Sequence, residues 1–293
     1  MEPDAIRRLC VVGAGTMGHQ IAMLGALAGC ETAVVDVRSE ALEQAQASNR
    51  AHMARWVARG RISERDMAQA FDRLRPTTRL EDGARDADFV IEAVIERLEE
   101  KREVFKAVDR IAPPHAVLAT NSSTIPSSLL AAATTRAERV CNMHFFNPPL
   151  VMELVEVVMH PLTAQTTVES AMALARRMGR TPVLLKKEIP GFVVNRILWA
   201  LVDEAVRLYE GGVASFEDID IAVKKGLRHP MGPFELMDFN GIDVAYNVRM
   251  ERLRETGDPQ ARPPRSIEEK YERKEWGRKT GKGWYSYPQP GSS

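Results

Sequence analysis

The sequence predicts an α/β fold: a doubly wound, mostly parallel sheet followed by a second, smaller, all-helical domain. Three observations carry that expectation. The turn Gly13-Ala14-Gly15-Thr16-Met17-Gly18 lies between a buried apolar run and a helical pattern. Short apolar runs alternate with helical patterns up to about residue 187. After Lys186-Lys187-Glu188-Ile189-Pro190-Gly191 only helical periodicity remains. The expected domains are therefore 1–187 and 188–293.

The first strand, through Leu9-Cys10-Val11-Val12, runs into the glycine turn, and a helix opens from Met17 to Leu27. Gly13 permits a tight strand-to-helix turn, Gly15 lets the backbone approach a pyrophosphate, and Gly18 lets helix and strand pack closely. The helix N-terminus offers free N–H groups and positive partial charge to phosphates. A second buried strand, Glu31–Val35, delivers Asp36, which can accept both hydroxyls of an adenosine ribose and repels a 2′-phosphate. Together these residues predict a Rossmann-type domain that binds NAD rather than NADP, with Thr16 and Met17 completing the loop around the cofactor.

Polar helical stretches follow from Ser39 to about Arg59 and from Ser63 to Leu74. Phe89–Val94 reads as a buried strand, Leu98–Ile111 as a charged helix ending at Pro113-Pro114, and Val117–Thr120 as another strand. Asn121-Ser122-Ser123-Thr124 and a short helix near Pro126 come next. Val140–His144 and Met152–Val158 are two further strands, and Pro149 between them forbids a long helical crossover, which leaves antiparallel pairing open. In the second domain, helical segments are expected at Phe192–Tyr209, Ser215–Lys225 and Pro233–Glu255, with a disordered tail from Pro288 to Ser293.

Composition excludes several function classes. The 293 residues carry 40 Lys plus Arg and 40 Asp plus Glu, so no global field favours nucleic acid or an anionic membrane. Cys10, Cys30 and Cys141 are far apart and lack metal-ligand spacing, so no metal is expected and a reducing compartment fits. The first strand begins directly after Met1-Glu2-Pro3-Asp4, leaving no room for a targeting peptide, and no apolar run reaches membrane-spanning length. A cytoplasmic protein is expected.

A nicotinamide enzyme needs a partner for the proton that leaves when hydride moves. His144 is the best candidate because it ends a strand on the carboxyl side of the sheet, where open α/β sheets bind ligands. His19, His52, His115, His160 and His229 compete. Glu156 is a candidate to hold the imidazole, since a carboxylate on one ring nitrogen fixes the tautomer. Glu153 is its rival: alternation puts the two on opposite, largely apolar faces, and periodicity does not choose between them. Asn121, Ser122 and Ser123 suit hydrogen bonds to cofactor or substrate, or equally helix capping before Pro126.

The combination resembles the short-chain L-3-hydroxyacyl-CoA dehydrogenase family, which includes bacterial 3-hydroxybutyryl-CoA dehydrogenases. The resemblance is carried by the glycine loop, Thr120-Asn121-Ser122-Ser123, His144-Phe145-Phe146-Asn147-Pro148-Pro149 and Leu154-Val155-Glu156-Val157. It continues through Pro190-Gly191-Phe192-Val193-Val194-Asn195-Arg196, His229-Pro230-Met231-Gly232-Pro233-Phe234-Glu235-Leu236 and Gly277-Arg278-Lys279-Thr280-Gly281-Lys282-Gly283-Trp284-Tyr285. These motifs span nearly the whole chain.

The resemblance implies that His144 is the general base, Glu156 its orienting carboxylate, and Ser123 the serine that hydrogen-bonds the substrate oxygen. It implies that Asn195 helps to place the substrate. Glu96, Lys101, Asn147 and Lys279 match cofactor contacts, and Asn121 lies beside the nicotinamide in such folds. Where the family often reads Asn-Thr-Ser-Ser-Leu, this chain has Asn121-Ser122-Ser123-Thr124-Ile125, keeping Ser123. The family binds the coenzyme A nucleotide near the arginines at 50, 55, 59, 61 and 65, and Arg59 is carried as a phosphate contact. The implied reaction is reversible, NAD-dependent oxidation of a short-chain L-3-hydroxyacyl-CoA to the 3-ketoacyl-CoA by a homodimer joined through its helical domain. Two alternatives stand beside it: a gulonate-type dehydrogenase of a free 3-hydroxy acid, which usually lacks the equivalent of Phe145-Phe146, and a non-catalytic NAD-binding protein.

Overall fold

The strands form one eight-stranded sheet, in the order β3-β2-β1-β4-β5-β6-β7-β8, in a computed structural model that describes residues 6–288 (255, 256 and 260 by backbone alone). They are β1 (Arg8–Val12), β2 (Glu31–Val35), β3 (Leu74–Thr77), β4 (Phe89–Glu92), β5 (Val117–Thr120), β6 (Val140–Phe145), β7 (Leu154–Val158) and β8 (Thr181–Leu185). Every neighbouring pair is parallel except β6 and β7, which run antiparallel. Pro148 and Pro149 shorten that connection to a turn, as the sequence allows. The expectations for Met1–Asp4 and for the tail beyond Pro288 concern residues outside the described range.

Alternation along the strands builds two cores. Leu9 and Val11 of β1 enter one, with α1 (Gly18–Leu27), α2 (Ser39–Ala58), α3 (Glu64–Asp72) and α7 (Gln165–Arg177). Cys10 and Val12 enter the other, with α4 (Leu80–Ala84), α5 (Leu98–Ile111) and α6 (Ser127–Ala131). Burial on both faces explains why these strands read as continuous apolar runs. It also pushes the Cys10 and Cys141 thiols up to about 12, so both are inert small hydrophobes.

Three local expectations are corrected. Ser63–Leu74 is not one helix: α3 begins on a Ser63–Asp66 capping box and ends at Asp72, and the chain then enters β3 at the sheet edge, where Pro76 is tolerated. The helix expected from Phe192 is α8 (Val194–Glu210); Phe192 itself has φ 49°. The segment Pro233–Glu255 is broken by Gly241, at φ 103°, into α10 (Pro233–Asn240) and α11 (Ile242–Thr256).

The chain divides at Val193–Val194 into two compact units. The second consists of α8, α9 (Phe216–Gly226), α10, α11 and α12 (Arg265–Glu272) around Val202, Val206, Phe234, Met237, Ile242, Ile267 and Trp284. Two buried aspartates organise it. Asp220 accepts from Phe234 N (2.9 Å), Glu235 N (3.0 Å) and Tyr285 Oη (2.8 Å), capping α10. Asp238 accepts from Trp284 N (2.9 Å), Tyr285 N (2.8 Å) and Tyr287 Oη (3.0 Å), anchoring the segment after Gly277.

Candidate active site

The carboxyl ends of β1, β2, β4, β5 and β6 gather the functional groups of the first unit. Between β1 and α1, Gly13 sits at φ 105° and donates to Val35 O (2.7 Å); a Cβ there would strike the Ala93 carbonyl. A Cβ on Gly18 would collide with the Gly13 carbonyl, so helix and turn touch through glycine alone. Gly15 differs, since nothing lies within 4 Å of its Cβ direction, and Gly15 and Thr16 are exposed while Met17 is half-buried. No side chain caps α1 at Met17; the N–H groups of His19, Gln20 and Ile21 bond Gly15 O and Met17 O, so the backbone donors at this open space are those of the turn itself, ahead of them. A cradle of backbone donors with an absent Cβ suits a pyrophosphate.

Asp36 stands beside it at the end of β2. Its Oδ2 accepts from Ala14 N (2.9 Å) and its Oδ1 from Arg38 N (3.0 Å). A carboxylate has about four acceptor positions, so both oxygens retain capacity for ribose hydroxyls. Gln20 braces the loop: its Nε2 donates to Thr16 O (3.2 Å) and its Oε1 accepts from Leu150 N (3.2 Å). Sequence reasoning missed this link between the glycine turn and the segment after β6.

Between β4 and β5 lies a second group of charges. Lys101, 1% exposed, reaches Glu92 Oε1 (2.8 Å), Glu96 Oε2 (3.1 Å) and the Val94 carbonyl (3.3 Å). Burial pushes the Glu92 carboxyl up despite Lys101 and the Thr120 hydroxyl. Glu96 is also pushed up by burial, but Lys101 and the hydrogen bonds of Ser122 and Thr124 outweigh it and hold Glu96 below the ordinary carboxylate range. Glu92 was readable as a charge inside an apolar run that requires a partner. Thr120 ends β5, and Asn121 follows with its Oδ1 accepting from Phe145 N (2.9 Å).

The third group is the β6–β7 pair. Antiparallel register sets His144 directly opposite Glu156, and His144 Nδ1 meets Glu156 Oε2 at 2.9 Å. Both are buried, at 4% and 0% exposure, and Glu156 Oε1 accepts from Val193 N (3.0 Å). A carboxylate only accepts, so Nδ1 carries the hydrogen and Nε2 is left as the acceptor. Ser123 Oγ lies 3.0 Å from that Nε2. Phe146 and Phe192 wall the imidazole, with ring centroids 4.7 and 5.3 Å away. Ser123, His144 and Glu156 thus form a continuous hydrogen-bonded chain that can take up or release a proton at Nε2. Glu153 precedes β7 and offers its carbonyl to Thr181 N (2.7 Å).

The capping alternative holds in part: Ser122 Oγ accepts from Thr124 N (3.3 Å) and Ile125 N (2.8 Å) in the turn before Pro126, but none of the three residues caps α6 itself. Ser127 Oγ (2.7 Å) and Ser128 N (2.9 Å), at the start of α6, donate instead to Glu188 Oε1. Among the rival histidines, His19 bonds Asn49 Oδ1 (2.8 Å), His52 bonds Arg55 (3.0 Å), His115 bonds Asp88 (3.1 Å) and His160 bonds the Ala137 carbonyl (3.1 Å). Asn147 is exposed just after β6, and Arg59 is exposed just after α2. Asn195 and Lys279 belong to the second unit. Asn195 is half-buried in the first turn of α8, and Lys279 pairs with Asp243 Oδ2 at 2.6 Å. No helix among the described residues is long and apolar enough to cross a membrane.

The chain matches two family models. Residues 8–189 match the NAD binding domain of 3-hydroxyacyl-CoA dehydrogenase, and residues 191–287 match its C-terminal domain. A probable 3-hydroxybutyryl-CoA dehydrogenase of Bacillus subtilis is 41% identical over 97% of this chain and 98% of its own length. The mitochondrial hydroxyacyl-coenzyme A dehydrogenase of Sus scrofa is 36% identical over 96% of this chain and 91% of its own. The solved (S)-3-hydroxybutyryl-CoA dehydrogenase of Ralstonia eutropha superposes with a TM-score of 0.88 at 38% identity, covering 97% of this chain and all of that one.

Proposed function

The chain belongs to the 3-hydroxyacyl-CoA dehydrogenase family, and from that premise we propose that it oxidises short-chain L-3-hydroxyacyl-CoA, such as 3-hydroxybutyryl-CoA, reversibly to the 3-ketoacyl-CoA. The observation that carries the reading is the hydrogen-bonded chain from half-buried Ser123 through buried His144 to buried Glu156. Bound NAD, gripped by the glycine turn and Asp36, supplies the hydride acceptor.

His144 Nε2 takes the hydroxyl proton in oxidation and returns it in reduction. Glu156 keeps the Nδ1 hydrogen in place and offsets the charge of the imidazolium; base and carboxylate together are worth about 10²–10⁴ in rate. Ser123 Oγ, in hydrogen-bond range of the same nitrogen, holds the substrate oxygen where that proton moves. Phe146 and Phe192 keep water from the imidazole, which strengthens its pairing with Glu156.

The remaining assignments rest on family resemblance. Glu96, Lys101, Asn121, Asn147 and Lys279 serve the cofactor side. Asn195 holds the substrate, and Arg59, exposed beyond α2, takes a phosphate of coenzyme A. Region 1–187 binds NAD, and region 188–293 serves substrate and homodimer contacts. The exposed apolar residues Ile197, Val213, Ile221 and Leu227 support the last point. The protein acts in the cytoplasm.

NADH absorbance followed with acetoacetyl-CoA, free acetoacetate and free gulonate tests the reading. Oxidation of NADH with acetoacetyl-CoA alone is the expected result. Turnover of the free acids only would make this a free-acid dehydrogenase, and no turnover with any of them would make it a binding protein.

A further inference from the structure

Within the dehydrogenase reading, we infer that Gln20 is a positioning residue for the cofactor. Its amide aims the Thr16–Met17 peptide at the pyrophosphate and ties the glycine turn to the turn between β6 and β7.

The first turn of α1 leaves one carbonyl over. His19 N donates to Gly15 O (3.2 Å), whereas Gln20 N and Ile21 N both turn to Met17 O (3.2 and 3.0 Å). Thr16 O is passed by, and the Gln20 side chain takes it, with Nε2 donating at 3.2 Å. The Thr16–Met17 peptide is planar and trans, so its C=O and N–H point in opposite directions. Holding Thr16 O on the amide of Gln20, a buried residue, therefore turns Met17 N–H away from that amide. Gly15 and Thr16 beside it are exposed, and Met17 N meets no backbone acceptor among the described residues. That donor is open to a phosphate oxygen.

The other end of the amide fixes a second piece of backbone. Oε1 accepts from Leu150 N (3.2 Å), a buried donor 130 residues further along the chain. A backbone N–H left without a partner at such depth costs free energy. Leu150 closes the run Asn147-Pro148-Pro149, where Val151 N and Met152 N both donate to Pro148 O (2.9 Å each), and its side chain packs in the same core as Ala14 and Ile21. Asn147, on the cofactor side, thus stands on a turn that this side chain holds against the glycine turn. The match runs one way: Thr16 O only accepts and Leu150 N only donates, which an amide satisfies at both ends and a carboxylate does not.

Gln20→Met tests this, since methionine has a similar length and neither an amide donor nor a carbonyl acceptor. Kd values for NADH and ADP-ribose, read by fluorescence titration and by competition against NADH, are expected to rise about 2- to 10-fold, the scale of one neutral hydrogen bond. Adenosine, which reaches Asp36 but carries no diphosphate, keeps its wild-type Kd. In turnover of acetoacetyl-CoA the loss shows in KM for NADH rather than in kcat. In an Asn147→Ala background the same substitution raises the NADH Kd by less, because the turn it holds has lost its contact. Gln20→Asn, one methylene too short to reach both partners, serves if the first variant does not fold. An unchanged NADH Kd would overturn the inference and leave Gln20 a core amide. Equal weakening of NADH, ADP-ribose and adenosine would reduce it to general support of the fold, and full additivity with Asn147→Ala would break the tie between the two turns. Wild-type turnover is read first: its absence would remove the dehydrogenase reading itself, whereas its presence with an unaltered NADH Kd in the Gln20→Met enzyme would remove only the inference.

Discussion

The parallel strands and the β6–β7 pair of one sheet present their chemistry differently. In the parallel part, functional groups stand beyond the strand ends: the glycine turn after Val12, Asp36 after Val35, and the Asn121–Thr124 turn after Thr120. These groups are placed by turns and held by side-chain braces such as Gln20 and Glu96. In the antiparallel pair, His144 and Glu156 lie within the strands, and backbone register alone sets them opposite each other. The difference teaches that a ligand-shaped surface is carried on turns, whereas the proton-transfer pair, which requires sub-ångström constancy, is carried on a ladder.

Breaking each part separately should sharpen that contrast. His144→Ala is expected to give the largest effect, a loss in kcat of about 10²–10⁴, with NADH binding little changed because the glycine turn is untouched. Steady-state turnover beside a fluorescence titration of NADH checks it. Glu156→Gln comes next at about 10²-fold, since an amide presents a donor where Nδ1–H needs an acceptor and the imidazole tautomer is lost. Near-normal turnover of this variant would show that register alone keeps the ring in place.

On the parallel side, Asp36→Ala should weaken NADH more than NADPH. The preference should shrink by about 10- to 150-fold, as expected for loss of a charged hydrogen bond of about 1.5–3 kcal/mol. Paired Kd measurements decide, and an unmoved preference would remove Asp36 as the ribose ligand.

The smallest effect concerns pH and stability. Burial holds His19 and His160 below the ordinary value of 6.5, outweighing their hydrogen bonds to Asn49 and to backbone. Each therefore binds a proton more readily unfolded than folded. The stability they contribute is complete above 6.5 and is lost as the pH falls below it. Tm should decline between pH 7.5 and 5.5, and His160→Gln should flatten the decline; an unaltered slope would exclude His160 as a contributor.

Much of this was legible in the residues. Apolar runs and glycine spacing located β1, α1 and Asp36, and Leu98–Ile111 and Val117–Thr120 coincide with α5 and β5. Local periodicity had no access to pairing partners, which is why Glu153 and Glu156 stayed equivalent until register chose between them. The same limit hid β3, an edge strand that pairs on one side only and tolerates Pro76. The Glu92–Lys101–Glu96 cluster was hidden for a related reason. A glutamate in an apolar run signals a missing cation, but only the fold of α5 against β4 says which lysine supplies it.

The most direct measurement is a crystal structure of the protein with NAD and acetoacetyl-CoA bound. The 3-keto oxygen is expected within about 2.6–3.2 Å of His144 Nε2, the range a proton-transfer partner needs, with Ser123 Oγ on the same oxygen. A keto oxygen held by another side chain, with the imidazole turned away, would contradict the assignment of His144 as the base.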